Sequence, residues 1–186
     1  DKRVMLQRIA LAMHEAKQKE IPAQELRKSL GAVFYEILHD WRAVEKAVNR
    51  FLNVIEERTG LLAARGEGVY AFSHLTFQEY LAALAIAARD DYVAYTLGCV
   101  PDSWWREVIL LEAGELSRRE KEPVTRLIRA MADFRQEPQP YHNLVLAAEC
   151  LRDVGSNRVQ GDVEAEVKRR LRKELEVKPP MWSHWL

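Results

Sequence analysis

Apolar residues recur at helical spacing almost throughout this chain. Between Gly60 and His74 the period shortens to two, and that switch limits the possible folds more than any other feature. Leu61 to Arg65 and Val69 to Ser73 are short β-compatible runs. They are separated by Gly66-Glu67-Gly68, a turn rich in the residue that accepts positive φ, and so read as a hairpin. Upstream, Leu6, Ile9, Ala10 and Met13 form the apolar stripe of a first helix that should end near Glu20. Leu26, Leu30, Val33, Phe34, Ile37 and Leu38 trace a second helix, whose first turn accepts Pro22 because the donor that proline lacks would go unpaired there. A third runs from Trp41 to Thr59, with Val44, Val48, Phe51, Leu52 and Ile55 inward and Gly60 as its C-terminal cap.

Three helices followed by a two-stranded wing is the order of a winged helix. The expected fold is therefore mainly α: a winged-helix domain over residues 1–88 with a small β-hairpin wing, then an α-helical segment over residues 89–186. In that second part Ser103 should cap a helix carrying Trp105, Val108, Ile109 and Leu111, and Pro123 should open another with Val124, Leu127, Ile128 and Met131 inward. Leu144, Ala147, Ala148 and Leu151 mark a further helix, and Val163, Val167, Leu171 and Leu175 a last one. The stretches Trp104 to Leu111 and Tyr141 to Ala148 lie roughly 36 residues apart, a spacing compatible with HEAT-like or armadillo-like helix pairs. The paired tryptophans Trp104-Trp105 read as packing residues, and the Arg/Glu-rich stretch Glu164 to Glu176 as a salt-laced helix face. The tail Lys178 to Leu186 has two tryptophans and no period; it could dock on the last helix, contact another segment, or lack structure.

The hand-over from hairpin to helix is the most distinctive string, Phe72-Ser73-His74-Leu75-Thr76-Phe77-Gln78-Glu79-Tyr80-Leu81-Ala82-Ala83. Thr76 with Glu79 reads as a capping box and Leu75 with Tyr80 as a hydrophobic staple, which starts the helix at Thr76. Phe77, Tyr80, Leu81, Leu84 and Ala88 then line one buried face, leaving His74 on the connection just outside. A histidine there can donate to an anion in either protonation state. It can equally pack at the strand end and bond to a backbone carbonyl.

The pattern of Phe72, His74, Phe77, Gln78, Glu79 and Tyr80 resembles the end of the winged-helix module in NACHT-type signal-transduction ATPases of the STAND class, which includes animal NOD-like receptors and many bacterial relatives. The resemblance covers about residues 1–88. It implies that His74 contacts the phosphates of ADP held by a neighbouring ATPase domain and helps to lock a resting state. It also implies ADP or ATP with Mg as cofactors of the parent protein, an upstream NACHT domain as partner, and homo-oligomerisation on activation. Residues from Ser103 to Leu116 are similar in arrangement to the helical repeats that often follow this module, where a ligand or partner protein would bind.

The residues also exclude chemistry. No Gly-Lys pair exists anywhere, so a G-x-x-x-x-G-K-[ST] phosphate loop is absent and the chain is not expected to be an enzyme or to hold a nucleotide alone. His14-Glu15 is followed by Gln18 where a zinc helix needs its second histidine, and no Gly-x-Ser-x-Gly elbow accompanies Ser73. Two scattered cysteines, Cys99 and Cys150, make neither a disulfide framework nor a metal site and suit a cytoplasmic setting. No apolar run is long enough to span a membrane, and no signal peptide opens the chain at Asp1, which reads as a piece of a longer protein.

A winged helix often reads DNA. Here the third helix sets Arg42, Lys46, Arg50 and Arg58 against Glu45, Glu56 and Glu57, and the wing tip sets Arg65 beside Glu67, so phosphate affinity finds little excess charge. The leading expectation is a regulatory and sensing piece of a NACHT-type ATPase. A DNA-binding winged-helix regulator and a plain helical-repeat interaction scaffold are the alternatives.

Overall fold

A computed structural model describes residues 2–66, 68–135 and 141–177. Glu67 and the tail 178–186, with the readings made for them, lie outside the described residues, as do the side chains of Glu57, Arg58, Thr59, Arg119, Leu175, Glu176 and Val177. The chain is mainly α and divides into two compact units, Asp1–Ile86 and Ala87–Leu186.

The first unit runs α1 (Lys2–Glu15), β1 (Glu20–Pro22), α2 (Ala23–Leu38), α3 (Trp41–Thr59), β2 (Leu62–Ala64), β3 (Val69–Phe72) and most of α4 (Leu75–Ala87). The hairpin expected from the period is present, with Leu62 opposite Phe72 and Ala64 opposite Tyr70. A third strand was not legible: β1 pairs antiparallel with β3, Ile21 opposite Tyr70, so the sheet order is β1-β3-β2. Pro22 ends this edge strand, where its missing N–H costs no ladder bond. It therefore stands before α2 with φ −58° and ψ 138°, not within the first turn.

The first helix stops at Glu15 and not near Glu20. Lys17 adopts φ 53°, its N–H donates to His14 O at 3.0 Å, and the next N–H, of Gln18, reaches Met13 O at 2.9 Å. This pair of bonds is a Schellman stop, and it uses lysine where glycine is the usual signal. The third helix follows expectation at both ends. Asp40 accepts from the Arg42 N–H at 3.0 Å as N-cap, and Gly60 takes φ 59° after Thr59.

Met5, Leu6, Ile9, Met13, Leu26, Leu30, Val44, Val48, Phe51, Leu52 and Ile55 form the core, joined by Ile21, Leu62 and Phe72 from the sheet and Leu81 and Leu84 from α4. Two expected core residues of α2 do not enter it: Ile37 is 63% exposed and Leu38 40% exposed. The last turn of α2 instead meets the start of α3 at the surface, where Tyr35 stacks on Trp41 with ring centroids 4.4 Å apart.

In the second unit α5 (Tyr92–Cys99), which the periodicity did not reveal, precedes α6 (Arg106–Arg119), α7 (Lys121–Asp133), α8 (His142–Val154) and α9 (Gly161–Val177). Helices α6, α7 and α8 pack on one another, and α9 lies on α7 and α8. Asp102, not Ser103, caps a short 3-10 turn by accepting from the Trp104 N–H at 3.0 Å, and α6 begins only at Arg106. Pro123 sits third in α7, which opens at Lys121. Val108, Ile109, Val124, Leu127, Ile128, Met131, Leu144, Ala147, Leu151, Val163 and Val167 are buried, whereas Leu111, Ala148 and Leu171 are only half-buried. Trp105 is buried edge-on to Tyr95 at 6.1 Å. On α9, Lys168 pairs with Glu164 and Arg169 with Glu166, as a salt-laced face requires.

One carboxyl is sealed inside this unit. Glu112 is fully buried, accepts from Thr96 Oγ1 at 2.7 Å through Oε2, and its Oε1 meets no hydrogen-bond partner among the described residues. Burial raises its pKa from 4.5 to about 8 against the opposing effect of the Thr96 bond. Between those values the folded state holds a proton that the unfolded chain has lost, so stability falls as pH rises, by up to about 1.4 kcal/mol per pH unit. Glu112→Gln should flatten this slope in urea titrations run from about pH 5 to about pH 8; parallel slopes for the two proteins would refute the assignment.

Candidate functional site at the junction of wing and helix

Strand β3 is hydrogen-bonded on both edges, so its C-terminal end is held in place and the chain leaves it in a defined direction. Phe72 anchors this end in the core. The Ser73 N–H donates to Leu61 O at 2.9 Å, and Arg65 Nη2, from the wing, donates to Ser73 O at 3.3 Å. The connection after β3 is thus held at both the N–H and the carbonyl of Ser73 by the residues that flank β2.

His74 follows and is exposed. Its carbonyl accepts from the Phe77 N–H at 3.0 Å, and its ring lies 5.7 Å from the Phe77 ring at 54°. The helix begins at Leu75, one residue before the Thr76 start read from the capping box, so Thr76 and Glu79 both fall inside it. Phe77, expected inward, is 38% exposed beside His74, and Ala88 is exposed beyond the helix end. Gln78 takes the inward place at 1% exposure, with Nε2 donating to Gln18 O at 3.0 Å. That bond ties the Schellman turn after α1 to the first turns of α4. Tyr80 packs half-buried against the core, and Leu81 lies within it.

A cavity of about 280 Å³ opens beside this junction, lined by Lys19, Glu20, Arg65, Ala71, Phe72, Leu75 and Gln78. Two cations and one carboxylate surround an otherwise neutral wall, an arrangement with a modest positive bias. The arrangement can serve recognition: an exposed imidazole that can donate, and a guanidinium held at the Ser73 carbonyl. No group of three or more metal-ligating side chains occurs among the described residues, and no described helix is long and apolar enough to cross a membrane. Cys99 is half-buried and Cys150 buried, the latter with its thiol pushed well above the usual range mainly by burial.

Sequence reading had singled out His74 but treated Arg65 only as a wing-tip charge and gave Gln78 no task. The place of Gln78 on the helix face between Leu75 and Leu81, three residues to either side, is the signal for the latter. Arg65 offered none, since its bond to Ser73 O depends on the hairpin register. The exposed face of α3 is mixed in charge, with Arg42, Lys46 and Arg50 interspersed with Glu45 and Glu56, and Asn49 accepts from Arg27 Nη1 at 2.6 Å.

Residues 1–86 match the family model of the winged helix-turn-helix domain C-terminal to NACHT. The match spans α1 to α4 with the wing, and the first unit is a NACHT-associated winged helix-turn-helix domain. No curated protein and no solved structure matches the chain.

The bond from Gln78 to Gln18 makes a sharp comparison possible within one helix. Gln78→Leu should destabilise the protein by about 1 kcal/mol in urea titrations, because it leaves the half-buried Gln18 carbonyl without its donor. Phe77→Ala, three-eighths exposed, should cost about 0.5 kcal/mol or less. A larger loss from Phe77→Ala than from Gln78→Leu would show that the aromatic, not the amide, holds the junction.

Proposed function

We propose that the first unit is the regulatory winged helix of a NACHT-type signal-transduction ATPase, and that His74 holds the ADP-bound resting state by donating to a phosphate held on the adjoining NACHT domain. The observation that carries this reading is the exposed imidazole at the clasped end of β3, within a domain whose family is defined by its place next to NACHT. An imidazole sealed in apolar packing could not meet a ligand bound elsewhere, whereas His74 stands at the surface with its ring tilted against that of Phe77. Clasping by Ser73 and Arg65 removes conformational freedom before any contact forms, which raises the affinity a single hydrogen bond can supply.

The chain supplies one side of that contact. A phosphate loop, with ADP or ATP and Mg, belongs to the parent protein's upstream domain. The second unit acts in this reading as the beginning of a HEAT-like helical sensor for a ligand or partner protein. Binding there, or exchange of ADP for ATP, shifts a two-state equilibrium, swings His74 away and frees a surface for homo-oligomerisation in the cytoplasm. The mixed charge of α3 gives no support to the DNA-binding alternative.

In the intact parent protein, His74→Ala should release ADP about 10-fold faster or more, the loss expected for one hydrogen bond to a charged acceptor, and should raise the oligomer fraction. His74→Gln, which keeps a donor, should restore part of the retention. An unchanged ADP off-rate together with an unchanged oligomer population in His74→Ala would overturn the proposal.

A further inference from the structure

The segments around the cavity beside His74 close on themselves. From the turn after α1 the chain passes through Lys19 into β1, where Glu20 lies opposite Ala71 of β3. Strand β3 leads through Phe72 and Ser73 to His74 and into α4. Gln78 Nε2 then donates to Gln18 O at 3.0 Å, and the path returns to its start across sixty residues of sequence. One side of this circuit is a backbone ladder, and the side opposite is closed by a side-chain amide that is 1% exposed.

Both ends of the closing bond are tied to structure that matters for His74. Lys17 stands at φ 53°, a left-handed conformation that lysine rarely takes, and the Gln18 N–H donates to Met13 O at 2.9 Å, so the accepting residue is already held by the end of α1. On the donor side, Gln78 follows Phe77, whose N–H donates to His74 O at 3.0 Å; what fixes Gln78 therefore fixes the turn that His74 opens. We propose that Gln78 is a positioning residue for His74: its bond to Gln18 O keeps the first turn of α4, and the imidazole at the start of that turn, where a phosphate can be met. The inference rests on the reading of His74 given under the proposed function. A donor held in place beforehand loses less freedom on making its contact, so loosening His74 weakens a hydrogen bond that the imidazole itself can still make.

The test begins with the full chain. Gln78→Met keeps the length of the side chain and removes the donor, while Ile55→Val trims a core residue of α3 at comparable cost to stability. Backbone amide order parameters of His74 and Leu75 should fall from about 0.85 towards about 0.6 in Gln78→Met and hold in Ile55→Val. Gln78→Asn, whose amide is one methylene short of Gln18 O, should repeat the result. In the intact parent protein Gln78→Met should speed ADP release about threefold, part of the effect of His74→Ala, and should add nothing to His74→Ala in the double variant. Ile55→Val should leave ADP release as it is. Unchanged order parameters in Gln78→Met, equal ADP release from Gln78→Met and Ile55→Val, or an acceleration that persists beside His74→Ala would each overturn the proposal. If His74→Ala itself leaves ADP release unchanged, the reading of His74 fails, and the order parameters alone decide whether Gln78 holds it.

Discussion

The backbone pairing of β3 on both its edges is the constraint from which the rest of the first unit follows. Strands of three and four residues are too short to persist unless another layer covers them. Here Ile21, Leu62 and Phe72 turn into the same helical core, so the sheet and the helices stabilise each other. The consequence for function is positional. A strand bonded on both sides cannot twist freely at its end, and the residue two places beyond it, His74, inherits that rigidity through the bonds at Ser73.

Polar groups in the interior mark where this structure is specified beyond simple hydrophobic burial. Gln78 joins α4 to the turn after α1 across sixty residues of sequence, and a buried amide that finds its acceptor favours one arrangement over its near alternatives. Glu112 works differently: with one oxygen bonded to Thr96 it is held as a neutral acid, and the unit around it tolerates the carboxyl because it sheds the charge. Apolar groups at the surface carry the complementary message. Tyr35, Ile37, Leu38 and Trp41 stand exposed where α2 ends and α3 begins, and Tyr35 stacks on Trp41 there.

Much of the winged helix was legible from the chain. The third helix is recovered from Asp40 to Gly60, because both ends carry the residues that cap helices and its five apolar positions keep strict spacing. The hairpin is recovered because glycines bracket its turn, with φ 72° at Gly66 and 76° at Gly68. The end of α1 was misread because a lysine occupies the left-handed position, where the side-chain type gives no warning. Strand β1 was missed because three residues with one buried position make no period, and only pairing with β3 turns Glu20–Pro22 into a strand. At α4 the Thr76 and Glu79 pattern suggested a start that backbone bonding to His74 places one residue earlier. As for the candidate site, His74 could be found by its string, whereas Arg65 could not, since a contact eight residues apart across a hairpin depends on register.

Sequence alone determined where most of the helices lie, though not α5 or every boundary, that a wing follows the third, and that a histidine stands at its exit, because these rest on local preferences of backbone and side chain that act within one or two turns. Tertiary structure decided which apolar residues enter the core and which polar ones are buried with a partner. Those outcomes depend on residues brought together from distant parts of the chain, and no local pattern encodes the meeting of Gln78 with Gln18.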